Sequence, residues 1–220
     1  MTSAMRILSY GVVTKAVDNY IRIGESTTIQ SLQHFYNSVI EIFGSEYLRS
    51  LTPTDIARLL TIGEVRGFPG MLGSLHCMHW EWKICLKAWQ GQYVDHQKKP
   101  TIILEAIASY DLWIWHAFFG MFGSHNDLNV LDRSPLFFDL AQGKALPIHY
   151  TINGHSYNMS YYLADGIYPQ WTTLVQTISS PQGAKKQHFA MMQESARKDV
   201  ERAFGVPQSR FAIIGGAVRF

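Results

Sequence analysis

The hydrophobic period of this 220-residue chain changes once, from about 3.6 residues to about 2, at the run Arg66-Gly67-Phe68-Pro69-Gly70. Ahead of it, apolar residues recur three and four apart: Val17, Tyr20 and Ile21, then Leu32, Phe35, Tyr36, Val39, Ile40 and Phe43. That spacing predicts helices, and Thr52-Pro53-Thr54-Asp55 starts another whose apolar face carries Ile56, Leu59 and Leu60. Behind the run the pattern predicts strands over 71–83, 101–109 and 112–119. The link Tyr110-Asp111 is too short for anything but antiparallel neighbours. A helix over 127–141 with a break at Ser134-Pro135, a strand over 157–164 and a helix over 185–204 complete the order. The last helix presents Phe189, Met192, Ala196, Val200 and Ala203 on one face. The chain therefore reads as a small helical region, 1–67, followed by an α/β domain, 68–220.

Hydrophobic residues make up 47% and charged residues 16%, a balance that excludes disorder as the dominant state. No uncharged apolar run approaches the length of a membrane span, and the first ten residues lack the order of a signal peptide. Two cysteines, Cys77 and Cys85, cannot build a disulfide framework and read as reduced thiols inside a cell. The net charge is +2, with an acidic middle and a basic end, a pattern compatible with polyanion or metal chemistry.

Gly24 is expected to stop one helix and Ser26 to cap the next, with Thr27 and Gln30 at capping-box spacing. The outline is that of a helix-turn-helix. Residues 27–43 carry no Lys or Arg, however, and offer only Gln30, Gln33, His34 and Asn37 to base edges, so a plain helical bundle accounts for the same pattern.

Acids stand where strands end and helices begin: Asp127 after Gly123-Ser124-His125-Asn126, Asp165 after a strand, and Glu201 on the last helix. Oxygen ligands from such places could hold divalent cations that activate water against a phosphodiester, although ordinary caps and surface charges explain the same positions. Asp111 is expected to form its own turn. His76, Cys77, His79 and Cys85 could bind zinc, but strand alternation turns residues 77 and 79 away from residue 76. Trp80, Trp82, Trp113 and Trp115 read as packing residues.

The run from Gly70 to Lys83, Gly-Met-Leu-Gly-Ser-Leu-His-Cys-Met-His-Trp-Glu-Trp-Lys, resembles plant transposases of the PIF/Harbinger superfamily. So do Pro100-Thr101-Ile102-Ile103-Leu104-Glu105-Ala106, Gly123-Ser124-His125-Asn126-Asp127 and the closing Val200-Glu201-Arg202-Ala203-Phe204. The resemblance implies an RNase H-like DDE nuclease domain with a mixed central sheet and a two-metal site for Mg2+ or Mn2+. Such enzymes hydrolyse phosphodiesters at transposon ends and transfer the freed strand. Asp127, Asp165 and Glu201 fall on the family's catalytic, metal-binding acids, and Arg197 falls on an arginine one turn before the glutamate.

One position departs: His76 occupies the slot of the first-strand aspartate in Gly-Ser-(Ile/Leu)-Asp-Cys-Met-His. An imidazole adds no negative charge and cannot bridge two ions, so the resemblance predicts a weakened metal site and an impaired nuclease. The alternative is a non-catalytic remnant that binds DNA or protein. The implied partners are double-stranded DNA, a Myb-like DNA-binding protein and a second copy in a homodimer. Lys185, Lys186, Arg197, Lys198, Arg202 and Arg210 are the candidate phosphate contacts. Lys83, Lys87, Lys98 and Lys99 form a second basic group that a solvated face explains equally well. The implied compartment is the nucleus, with the cytoplasm as the other option. Family members also have a further N-terminal segment and continue into a further helix bearing Leu-His-Asn, so the resemblance implies a chain shortened at both ends.

Overall fold

The computed structural model describes residues 1–82, 85–142 and 147–215, so the expected strand end at Lys83, and Lys83 itself, lie outside the described residues. The chain divides into two compact units, Met1–Ser50 with Phe204–Phe220, and Leu51–Ala203.

In the first unit, helices α1 (Thr2–Tyr10), α2 (Thr14–Ile21) and α3 (Glu25–Tyr47) pack on one another, and α9 (Ala212–Gly215) packs on α1. Gly11 closes α1 at φ 61, where a side chain would be strained, and its N–H reaches the Ile7 carbonyl at 2.9 Å. Gly24 does not stop α2 as its position suggested: it is the N-cap of α3, in extended conformation, and its carbonyl accepts from Thr28. Ser26 and Thr27 thereby fall inside the first turn, and no side chain caps the helix. Glu25 supplies the favourable charge at that end instead.

The second unit opens with α4 (Pro53–Val65), begun by a capping box between Thr52 and Asp55. Its mixed sheet runs in the order β3-β2-β1-β6-β7. Strands β1 (Met71–Glu81), β2 (Thr101–Ala108) and β3 (Ile114–Phe122) are antiparallel neighbours, while β6 (Tyr161–Leu163) and β7 (Leu174–Val175) run parallel to β1. Between β1 and β2 lies a short helix, α5 (Lys87–Tyr93), that the periodicity does not reveal.

Helices cover both faces of the sheet. On one side α6 (Asp127–Leu131) and α7 (Pro135–Ala141) bury Leu131 and Phe137 against Leu75, Ile107 and Tyr162, joined by Leu59 of α4. On the other, α8 (Ala184–Arg210) sets Ala196 against Met71 and Leu163, and Ser74 donates to the Ala196 carbonyl at 2.9 Å. The break at Ser134-Pro135 separates α6 from α7 as the proline requires.

Two corrections concern the last third. The stretch expected as one strand over 157–164 is two, divided at Ser160: β5 (His155–Met159) pairs with β4 (Pro147–Ile152) in a separate hairpin, and only β6 enters the main sheet. The hairpin turns at Asn153-Gly154, both at positive φ, the pairing that a two-residue turn favours. The last helix also runs beyond 204 to Arg210 with Pro207 inside it, and the Pro207 carbonyl still accepts from Phe211 at 2.8 Å. The tryptophans pack as expected: Trp80 meets Phe119 across strands, Trp82 contacts Trp89 and Tyr93, and Trp115 donates to the Leu72 carbonyl at 3.2 Å.

Candidate functional site

Strand register assembles the site. β1 and β6 are parallel neighbours with Ser74 opposite Leu163. Two residues further along each strand stand His76 and, just past the end of β6, Asp165. Ser74 faces α8, so by alternation His76 does too, toward the helix that carries Glu201. Asp127 begins α6, positioned by the loop after β3 and by Asn126, whose side chain exchanges bonds with Asn129 to cap the helix.

That loop is tightly built. The Gly123 N–H reaches the Thr101 carbonyl at 2.9 Å, and a Cβ at Gly123 would run into Thr101 Oγ1 and the Tyr93 carbonyl. Glycine is the residue that lets β3 turn this closely past β2.

The charges of Glu201, Asp127 and Asp165 all act on the His76 imidazole to favour its protonated form, and Arg197 opposes them. Burial outweighs the acids, so the His76 pKa lies below its ordinary value of 6.5 and the ring is neutral at pH 7. The four side chains singled out in the sequence thus share one electrostatic neighbourhood. Arg197 donates to Glu201 at 2.9 Å across one helical turn.

Two further side chains stand beside this group: His79, which the sequence offered only as a zinc ligand, and Tyr168, which left no signal in the sequence pattern. His79 Nε2 lies 3.8 Å from Asp127 Oδ1, and its Nδ1 is 3.4 Å from Thr101 Oγ1, so this ring links β2 to the start of α6. Tyr168 places its hydroxyl 3.4 Å from Cys77 Sγ. Burial pushes both the thiol and the phenol well above their ordinary ranges, and the charges of Asp127 and Glu105 add to the shift. Asp111 stays at its turn, bound by Ser109, Arg58 and the Trp113 N–H.

These donors do not fit a pair of magnesium ions. One of the four is a neutral nitrogen ligand, and Glu201 already carries Arg197 on its carboxylate. Among the described residues, no three of the His, Cys, Asp and Glu side chains gather closely enough to hold a metal ion. The basic candidates also divide. Lys185, Lys186 and Lys198 stand exposed on α8, whereas Arg197 and Arg202 are engaged by Glu201 and Asp199. Arg210 is exposed at the end of the same helix, within the first unit.

A model of the plant transposon protein family matches residues 45–220. The chain belongs to that family. The match takes in every strand and the helices α4 to α9, hence His76, Asp127, Asp165 and Glu201 together. No curated protein and no solved structure matches the chain. Among the described residues no helix is long and apolar enough to cross a membrane. Membership of this family gives the chain a transposase-related origin.

Proposed function

We propose that this chain is the nuclease domain of a PIF/Harbinger transposase on an RNase H-like fold, and that His76 has impaired its metal-dependent cleavage of duplex DNA. The observation that supports the reading is that the charges of Asp127, Asp165 and Glu201, each delivered by a different element, all reach the ring of His76. The resemblance implies that such acids held divalent cations for phosphodiester cleavage, and the donors present here no longer fit such a pair, which is the impairment. In this reading Asp127, Asp165 and Glu201 are the surviving members of a four-group ligand set, and the neutral ring of His76 supplies neither the charge nor the second oxygen of the missing acid.

Retention of duplex DNA as ligand rests on Lys185, Lys186 and Lys198, free on α8 to meet phosphates. The helix-turn-helix outline of α2 and α3 adds Gln30, Gln33, His34 and Asn37 as exposed polar groups, without a cation among them. A second reading, a binding remnant with no catalysis at all, is favoured by the bond from Arg197 to Glu201, which holds in place the charge that a metal would need.

Nicking of supercoiled DNA with Mg2+ or Mn2+ by the native chain, His76→Asp and Glu201→Gln decides the matter. The expected result is little or no nicking by the native chain and recovery in His76→Asp that is lost again when Glu201→Gln is added. Efficient nicking by the native chain removes the impairment. Silence from a folded His76→Asp chain that still binds duplex DNA establishes the binding remnant.

A further inference from the structure

Helix α3 carries an uncovered apolar stripe. At 100° per residue, Ile29, Tyr36, Ile40, Phe43 and Tyr47 fall within a sector of about 60°. The last four of these are 47, 52, 49 and 51% exposed, and Thr28 is the one buried residue of the helix. The intervals, four, three and four residues from Tyr36 to Tyr47, are those of a helix that seats knobs into a facing helix. Four half-exposed apolar side chains aligned on one face form a contiguous patch rather than scattered single residues, and such a patch marks a contact surface.

Charge states what kind of helix covers it. From Glu25 to Tyr47 the charged side chains are Glu25, Glu41 and Glu46, with no Lys or Arg. Glu46 lies on one flank of the stripe and Glu25 at its N-terminal end, while Glu41 stands on the far face of the helix. A second copy of α3 would bring three more acids and no base, so self-pairing leaves every flanking carboxylate without a counter-charge. A helix with apolar residues at heptad spacing and Lys or Arg beside them would satisfy both the stripe and its rims.

We propose that the stripe of α3 is a docking surface for a basic amphipathic helix of another protein. The inference rests on exposure and charge in the first unit alone and stands apart from the nuclease reading, so the failure of either leaves the other intact.

The test uses the full chain and two synthetic helical peptides of about three heptads, both with Leu at the seam, one flanked by Lys and one by Glu. Binding is followed by fluorescence anisotropy, with sedimentation equilibrium of the chain alone. The expected result is a chain that stays monomeric and binds the Lys peptide at least about tenfold more tightly than the Glu peptide, with the gap closing at high salt. Ile40→Asp and, separately, Phe43→Ser abolish binding while helix content stays unchanged, since both side chains are half exposed. Equal binding of the two peptides, or binding of neither by a monomeric chain, overturns the proposal. A dimer broken by Ile40→Asp also overturns it and makes a second copy the occupant.

Discussion

Arg197 lays its guanidinium on the Glu201 carboxylate, 2.9 Å away, and both charges reach the partly buried ring of His76. They act in opposite senses: Glu201 raises the His76 pKa and Arg197 lowers it. Two neutralising substitutions therefore move the same titration in opposite directions. In an NMR titration of the His76 ring, Glu201→Gln lowers the pKa further and Arg197→Gln raises it. Equal shifts, or shifts reversed in sign, would place His76 outside the neighbourhood of these groups.

The same lowered pKa makes stability depend on pH. The unfolded chain protonates at His76 near the ordinary value of 6.5, before the folded chain does. Protons are thus taken up preferentially by the unfolded state, and stability falls as pH drops from about 6.5 toward the folded-state pKa, with no contribution above that window. His76→Gln removes this component. Urea midpoints of the native chain minus those of His76→Gln should be level between pH 7 and 8 and decline on acidification; a difference that grows in acid refutes the assignment.

Asp199, 1% exposed, is bound by both Arg66 and Arg202, and each guanidinium also lies over the Tyr110 ring, at 4.5 and 5.4 Å. The two arginines are unequal partners, since Arg66 is 21% and Arg202 53% exposed. Losing Arg66 leaves the buried carboxylate with one solvent-facing partner and should cost about 2–3 kcal/mol, whereas losing Arg202 should cost about 1 kcal/mol or less. Chemical denaturation of Arg66→Ala and Arg202→Ala measures both, and an equal cost refutes the asymmetry.

Glu105 is fully buried in mid-sheet, where its Oε1 accepts from Ser134 Oγ at 2.6 Å and lies 2.9 Å from His116 Nε2. This one oxygen ties β2 to β3 and to the N-terminus of α7. Ser134→Ala removes one hydrogen bond and should cost about 1 kcal/mol. Glu105→Ala strands two polar groups and opens a cavity, for a loss of about 3 kcal/mol or more. Thermal or urea unfolding of the two variants gives the ratio, which is expected to exceed two.

Gly123→Ala is expected to destabilise the domain by about 2–3 kcal/mol, because the added methyl overlaps Thr101 and the Tyr93 carbonyl. Gly166→Ala, beside Asp165, meets nothing within 4 Å and serves as the neutral control. Similar stabilities for the two variants would mean that the loop before Asp127 has room to spare.

Much of this architecture was legible in residue order. The change of period at Gly67 to Gly70 separated helices from strands, and the short Tyr110-Asp111 link dictated the antiparallel pairing of β2 with β3. The hairpin of β4 and β5 carried a readable signal in Asn153-Gly154, yet the run from Tyr157 to Ala164 looked like one strand because alternation continues across Ser160 while the hydrogen-bonding partner changes. β7, with two residues, is too short to show any period, and its place beside β6 is a tertiary fact.

At the site, Asp127, Asp165, Glu201 and the anomaly at His76 stood out by position and by resemblance, and His79 only as a zinc ligand, whereas Tyr168 and the pair Arg66–Asp199 did not stand out. The difference is physical. Alternation and helical spacing report which face of an element is buried, so sequence alone determined the elements and the faces they hide. Which side chains meet across those faces depends on register and layer packing: Ser74 opposite Leu163 brings Asp165 beside His76, and α8 lying on that face brings Glu201 and Arg197 to the same ring. The charge state of His76 was settled only there, because it follows from how far the ring is buried against how close three acids and one guanidinium approach.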